Sequence, residues 1–363
     1  MNFWNKLKQN KNEPFFVLAP MADVTDPAFR RIIAKYGKPD VTWTEFVSAD
    51  GLAHPVAREK LIRDLAYTEA ERPIVAQLFS SHPEQMRLAA KIVAELGYDG
   101  IDINMGCPDR SIEKQGAGAA MIKTPDTAGL IIQAAKDGIR DAGRDIPLSV
   151  KTRVGYNQVQ IDEWIPFLLS QDIATLTVHA RTRKEMSSVP ANWSYVKKVV
   201  EIRDKMGVKT KIIGNGDVRN ISHGRYLASE TGCDGIMIGR AIFGNPWMFA
   251  DIKKITSQKY SSPNKLKQFF VNIYSRFVPS YKDRYWLENK IEIPVPERLR
   301  VLVEHTKLYE ELLGDIKSFS IMKKHYKAYC NGFPGAKELR MQLMDSSSAD
   351  EVEIIVGTFL KTL

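Results

Sequence analysis

Between residue 15 and about residue 250, short apolar runs alternate with longer amphipathic stretches. The runs are FFVLAPM (15–21), VTWTEFV (41–47), PIVAQLF (73–79), GIDINMG (100–106), PLSVKTRV (147–154), TLTVHAR (175–181), KIIGNGD (211–217) and GIMIGRA (235–241). They are too short for helices, and their near-continuous apolarity is that of strands buried on both faces. The stretches between them have helical spacing. In HPEQMRLAAKIVAELG (82–97), Met86, Ala89, Ala90, Val93 and Leu96 recur at three and four, and Gly97 supplies the stop. Asp26-Pro27 is a helix start, because the carboxylate can accept from free N–H groups of the first turn and proline has none to lose. Eight such β/α units predict a closed (β/α)8 TIM barrel, assigned to residues 1–255. A doubly wound open sheet is the rival. Against it, no GxGxxG follows the first strand, and GAGAAM (116–121) lacks the last glycine and falls after the fourth.

Beyond residue 255 the pattern changes. SSPNK (261–265) reads as a linker, and KLKQFFVNIYSRFV, PERLRVLVEHTKLYEELLG, IKSFSIMKKHYKAYCNGF and AKELRMQLM all carry the helical period. Residues 256–363 are therefore expected to form an all-α domain. Within it, Lys323, Lys324, His325, Lys327, Lys337 and Arg340 are interleaved with Tyr326 and Tyr329. Two readings fit this stretch. It is either a surface that grips a phosphate backbone and stacks on bases, or a solvated helix face with its tyrosines in the core.

Composition narrows the setting. The 363 residues, 44% of them hydrophobic, suffice for a full core. The opening MNFWNKLKQNKNEP lacks the apolar centre of a secretory signal, and no apolar run reaches the roughly 18 residues that would span a bilayer. Cys107, Cys233 and Cys330 are scattered, odd in number and never in a CxxC pair. That speaks against a disulfide framework and a metal site, and for a reducing cytoplasm. A net charge of +9 and a pI near 9.2 mildly favour a polyanionic partner.

The candidate chemistry gathers at the carboxyl ends of the predicted strands, where barrels of this kind keep their sites. Cys107 follows the fourth strand and opens a polar, glycine-bearing loop of roughly 18 residues, far longer than the usual 2–6 and so a lid or binding loop. Other strand ends carry Pro20-Met21-Ala22, Glu45, Gln77, Asn104, Lys151 with Arg153, His179 with Arg181, Asn215-Gly216-Asp217 and Gly239-Arg240. The last two are glycine turns whose N–H groups, beside Arg240, would cradle a phosphate. Lys151, inward on the fifth strand, needs an anionic partner or a lowered pKa, and His179 on the next strand could share its task. Asn104, Arg153 and Arg181, with Lys323 and Lys324 in the helical region, are the candidate substrate contacts.

The strings APMADVTDPAFR, VAQLF, DINMGCPDRSIEKQGAGAAM, VKTRVG, VHARTR, IGNGDV, MIGRAIFGNPW and NGFPGAKELR resemble, in order and spacing, the tRNA-dihydrouridine synthases. NMGCP is the most specific of them, while RKEMSSVPANW (183–193) departs from the family pattern. The resemblance implies an FMN-binding TIM barrel followed by a helical tRNA-binding domain. It implies FMN contacts at Pro20, Met21, Ala22, Gln77, Lys151, His179, Asn215, Gly216, Asp217, Gly239 and Arg240. Cys107 would be the proton donor and Asn104 would meet the target uracil. NADPH or NADH would be a transient donor sharing the flavin site, since no separate nucleotide motif exists. A cytoplasmic monomer without a membrane partner is expected.

The residue types suit that chemistry. Uracil accepts hydride at C6, shifts charge toward O4 and needs a proton at C5. A thiol near its ordinary pKa of about 8.5 is a usable acid at neutral pH. Attack of Cys107 on C6 is the rival role, disfavoured because hydride must occupy that carbon. Two rival functions are a flavin barrel acting on a free pyrimidine, like the dihydroorotate and dihydropyrimidine dehydrogenases, and a non-catalytic RNA-binding barrel. The basic helical extension speaks against the first, the intact cysteine and phosphate turns against the second.

Overall fold

The computed structural model describes residues 2–7, 13–250 and 293–363. Its strands are β1 (Phe15–Leu18), β2 (Thr42–Ser48), β3 (Ile74–Phe79), β4 (Gly100–Met105), β5 (Leu148–Arg153), β6 (Thr175–His179), β7 (Lys211–Asn215) and β8 (Gly235–Ile238). All pair in parallel, each with the next from β2 to β8, and β8 pairs with β1. A parallel bridge between Val17 and Val41 closes the ring. The expected TIM barrel is therefore the fold. The helices of this region are α1 (Pro27–Gly37), α2 (Ala49–Ala53), α3 (Pro55–Asp64), α4 (Pro83–Glu95), α5 (Arg110–Lys114), α6 (Pro125–Asp141), α7 (Ile161–Leu169), α8 (Ser194–Met206) and α9 (Ile221–Thr231).

Strand alternation sorts the apolar residues into two cores. Phe15, Val17, Ala19, Val41, Trp43, Val75, Ile213 and Met237 point inward and form one cluster. Their neighbours, such as Phe16, Leu18, Ala76, Ile103, Val150 and Val178, face outward and pack with the helices. A 3₁₀ turn at Phe3–Asn5 stoppers the amino-terminal end: Trp4 is buried, its ring 5.5 Å from Phe15 and 5.7 Å from Trp43. The interior is thus closed by aromatic rings at one end, and its charged residues collect at the other.

Local signals mostly hold. Asp26 caps α1 by accepting from the Phe29 N–H at 2.9 Å. Leu96 does not belong to the buried face of α4, since the helix stops before it and it is 38% exposed. The loop after β4 is not structureless: it contains α5 and a 3₁₀ turn at Gly118–Lys123.

The boundary at 255/256, the linker at 261–265 and the helical segment 265–278 lie outside the described residues. Beyond them stand α10 (Val295–Leu313), α11 (Lys323–Tyr329), α12 (Ala336–Asp345) and α13 (Ala349–Leu360), the last not foreseen from sequence. Tyr326 and Tyr329 are fully buried, so the base-stacking reading of this stretch is withdrawn in favour of tyrosines in the core. Lys324 is exposed and Lys323 half-buried.

The helical part docks through charge and through histidine rings. Lys317 donates to Glu45 Oε2 at 2.9 Å and forms an ion pair with Asp64 Oδ1, also at 2.9 Å. Burial pulls its pKa down, but the two carboxylates outweigh burial and keep it charged. His305 of α10 stacks on Phe29 of α1 at 4.8 Å and meets His325 of α11 at 4.7 Å. Among the described residues neither imidazole has a hydrogen-bond partner. Burial, then Lys324, pushes His325 down to about 3, and burial, then His325, lowers His305 likewise. Both are neutral when folded. Because the unfolded chain takes up protons first, their contribution to stability is complete above about pH 6.5 and declines as pH falls toward 3. His325→Leu should therefore lose about 2 kcal/mol less stability than the wild type between about pH 7 and pH 5. Urea unfolding at the two pH values reads this directly, and parallel losses would count against the neutral pair.

Candidate active site

At the carboxyl ends of the strands lies a cavity of about 270 Å³ lined by Pro20, Met21, Lys151, Arg153, His179, Asn215, Gly216, Asp217, Gly239 and Arg240, all expected from sequence. Pro108, Met186 and Ser187, which sequence reading missed, also line it, with Ala19, Val218, Met237 and Ala241. Ser187, Asp217 and Arg240 also border a larger cleft of about 1300 Å³ that reaches Trp247, Arg298 of α10 and Asn331. Of the other expected residues, Ala22 is exposed in the turn after Met21, and Gln77, Asn104, Cys107 and Arg181 are not on the cavity wall. Lys323 and Lys324 sit apart, on α11.

The cations differ in how they are used. Arg153 donates from Nε to Gly106 O at 2.8 Å and from Nη1 to Thr182 O and Met186 O at 3.0 Å, tying the loops after β4 and β6 together. Arg181 donates to Val189 O at 2.7 Å and to Asp217 Oδ2. Arg240 reaches the other oxygen of Asp217 at 2.8 Å. Burial would raise Asp217, but the Ala191 N–H, Arg181 and Arg240 outweigh it and hold the carboxyl below its ordinary range. The turn before it requires glycine: Gly216 has φ of +127°, and a Cβ there would lie 2.7 Å from that of Ala191.

Lys151 is the exception. Among the described residues its ammonium makes no hydrogen bond or ion pair, and it faces the cavity. Burial and Arg153 pull its pKa down to about 8, against the opposing pull of Asp102. His179 cannot share its charge. Burial and the surrounding cations keep the imidazole neutral. Its Nε2 lies 3.0 Å from Arg181 Nη1, which can only donate, so the ring proton sits on Nδ1.

Gln77 and Asn104 do not face the cavity. They form a chain rising from the barrel interior. Gln77 Nε2 donates to Asp102 Oδ2 at 2.6 Å, and Asn104 Nδ2 donates to Gln77 Oε1 at 3.0 Å. Asn104 Oδ1 accepts from the Gly106 and Cys107 N–H groups at 3.1 and 2.9 Å. Burial raises Asp102 to about 6, even with Gln77, Ser149 and Lys151 favouring its charge.

Cys107 is half-buried at the head of this chain, and burial pushes its thiol above the ordinary thiol range, so it is protonated at neutral pH. Ile112, Ala117 and Phe79 form a small apolar cluster under its loop. Glu113 of α5 is paired with Arg183 of the loop after β6. Neither charge was singled out from sequence, because no local pattern links residues so far apart.

These features define a TIM-barrel protein with a cationic, carboxyl-face cavity and a protonated cysteine beside it. The family model described as dihydrouridine synthase matches residues 17–363, and the chain belongs to that family. It is similar to the probable tRNA-dihydrouridine synthase 2 of Bacillus subtilis (strain 168), 38% identical over 360 residues, 99% of this chain and 96% of that one. It is also similar to the probable tRNA-dihydrouridine synthase of Staphylococcus aureus (strain COL), 35% identical over 99% of this chain and 95% of the relative. The Staphylococcus epidermidis (strain ATCC 12228 / FDA PCI 1200) protein of the same description is 36% identical over 99% and 96%. Among solved structures, a 2-naphthoyl-CoA reductase complex covers 66% of this chain and 50% of its own at a TM-score of 0.49 and 11% identity, too distant to bear on function.

Asn104→Ala should strand two backbone N–H groups and the Gln77 carbonyl. The expected loss is about 2–4 kcal/mol of stability in urea unfolding, the usual cost of orphaned buried polar groups. A loss under about 1 kcal/mol would show that the chain does not hold the cysteine loop.

Proposed function

We propose that this protein reduces uridine in tRNA to 5,6-dihydrouridine, with FMN as cofactor and NADPH or NADH as the donor that recharges it. The observation that carries the reading is family membership over nearly the whole chain, with the NMGCP cysteine at the rim of a cationic cavity. The donor set fits FMN. Lys151 is an unpartnered cation suited to an anionic ring edge, and the turns at Gly216 and Gly239, beside Arg240, suit a phosphate. FMN, when bound, supplies the hydride that uracil C6 receives.

The rest is work for the chain's own residues. Cys107 gives its Sγ proton to uracil C5 as charge moves toward O4, and solvent restores the thiol. Burial holds the thiol protonated, which favours an acid over a nucleophile. Asn104 places the cysteine through its backbone N–H. Arg153 and Arg181, already bonded to backbone oxygens and Asp217, hold loops more than they grip substrate. The helical part supplies cations to the RNA backbone, Lys323 and Lys324 among them, and the target base leaves its stack to reach the cavity. A monomer working in the cytoplasm is part of this proposal.

The purified protein should carry FMN, and mapping dihydrouridine in tRNA with and without it tests the reaction itself. Reduction of free uridine, with tRNA left unmodified, would replace this reading with that of a free-pyrimidine enzyme. Cys107→Ala should keep FMN and its reduction by NADPH, while reoxidation by unmodified tRNA slows about 10²–10⁴-fold. A wild-type reoxidation rate in a single turnover would make the cysteine structural. In the wild type that rate should hold through neutral pH and fall only above the ordinary thiol range, as the raised thiol loses its proton.

Reversing Lys323 and Lys324 to Glu should weaken tRNA binding and flatten its salt dependence by about one unit of slope per lost phosphate contact. Flavin content should not change. Unaltered affinity and slope would place the RNA-binding surface elsewhere.

A further inference from the structure

Two ties join the loop bearing Cys107 to the loop after β6, and one of them lies inside the barrel. The inner one is Arg153, which joins Gly106 O to the Thr182 and Met186 carbonyls. The outer one is the pairing of Glu113 with Arg183. Arg183 Nε lies 2.7 and 2.8 Å from the two oxygens of Glu113, and its Nη2 also donates to Oε2. The side chains are 23% and 8% exposed, so solvent screens this pair far less than an ordinary surface bridge.

Everything around the pair converges on the same junction. Arg183 lies 5.3 Å from the ring of Tyr156, in the loop after β5, and Lys123, at the far end of the cysteine loop, lies 4.4 Å from that ring. The Arg183 and Lys184 N–H groups donate to Gly155 O and Tyr156 O, each at 2.9 Å. Three βα loops therefore meet at one guanidinium. The chain beyond Arg183 runs directly into Met186 and Ser187, which form part of the cavity wall.

We propose that Glu113 and Arg183 are positioning residues that latch the Cys107 loop to the loop after β6, fixing the thiol's distance from a base held in the cavity. The claim rests on the reading of Cys107 as the proton donor. The two ties differ in consequence. Loss of Arg153 would empty a buried site and leave three carbonyls without their donor. The Glu113–Arg183 pair joins side chains at the rim, so it can part while the barrel stays folded.

The test reads thiol accessibility and chemistry separately. Cys233 and Cys330 are buried, so alkylation by iodoacetamide in the folded protein reports Cys107. Glu113→Gln keeps size and one acceptor, and Arg183→Met keeps the apolar stem. Either should raise the limiting alkylation rate about tenfold, as expected for loss of a charge-assisted pair. Rates are compared after correction for thiolate fraction from their pH dependence. Either variant should slow reoxidation of reduced flavin by tRNA about 10–100-fold, with FMN content and reduction by NADPH unchanged. The exchange Glu113→Arg with Arg183→Glu should recover part of both losses, a non-additivity that a merely structural role would not give. Unchanged alkylation in both single variants overturns the latch. Faster alkylation with wild-type reoxidation overturns its positioning role, provided Cys107→Ala is impaired. Wild-type reoxidation in Cys107→Ala instead overturns the proton-donor reading and this role with it, while the alkylation result still decides whether the latch exists.

Discussion

A closed barrel removes its inward side chains from water, so each polar group there must find its partner within the ring. The chain from Asp102 through Gln77 and Asn104 to the Cys107 backbone answers that requirement. An ionised carboxylate can only accept, so Gln77 must turn its amide nitrogen toward Asp102. That leaves its oxygen for Asn104 and forces the oxygen of Asn104 toward the N–H groups of Gly106 and Cys107. The direction of every amide is set by the one acid beneath. The cysteine loop thus takes its starting geometry from a group in the barrel interior. Asp102 also favours the charged form of Lys151, so one carboxylate serves both the cavity's cation and the cysteine loop.

The cavity's cations divide by what they already hold. Arg153 and Arg181 spend their donors on backbone carbonyls and Asp217, and they make loop geometry. Lys151 has nothing comparable, and burial shows in its pKa of about 8. An ammonium without a partner in such a place is tolerated where a ligand anion returns the lost solvation. Distinguishing the cation in use from the cation in waiting needs coordinates. In sequence all three are basic residues at strand ends.

That limit explains what could be read from the sequence. The barrel was legible because two-face burial makes parallel strands uniformly apolar, while the site needs polar or glycine residues at one end. Legibility stopped where partners matter. Gln77 and Asn104 were placed at the correct end, but the sequence does not say that they bond to each other. Tyr326 and Tyr329 illustrate a different failure. Met322, Tyr326 and Tyr329 are spaced by four and three, which puts them on one buried face, while Lys323, Lys324 and Lys327 take the other. A basic-aromatic count cannot separate these faces, but the helical period can. Glu113 and Arg183 leave no local trace, because their pairing exists only once two loops from different strands share a rim.

The same convergence that builds the site also orients the helical part. Glu45 lies on β2, and its buried carboxylate receives Lys317 together with Asp64. Burial raises the pKa of Glu45, against the pull of Lys317. Stripping water from three charges offsets much of what their attraction returns, so this bridge adds little net stability. Its effect is on alternatives: any other docking would leave the buried Glu45 and the half-buried Asp64 without this cation. The helical part is thereby held over the carboxyl face, where the cleft from the cavity runs to Arg298 and Asn331. A polar strand end, which in most barrels only builds the site, here also fixes which helical surface flanks the cavity.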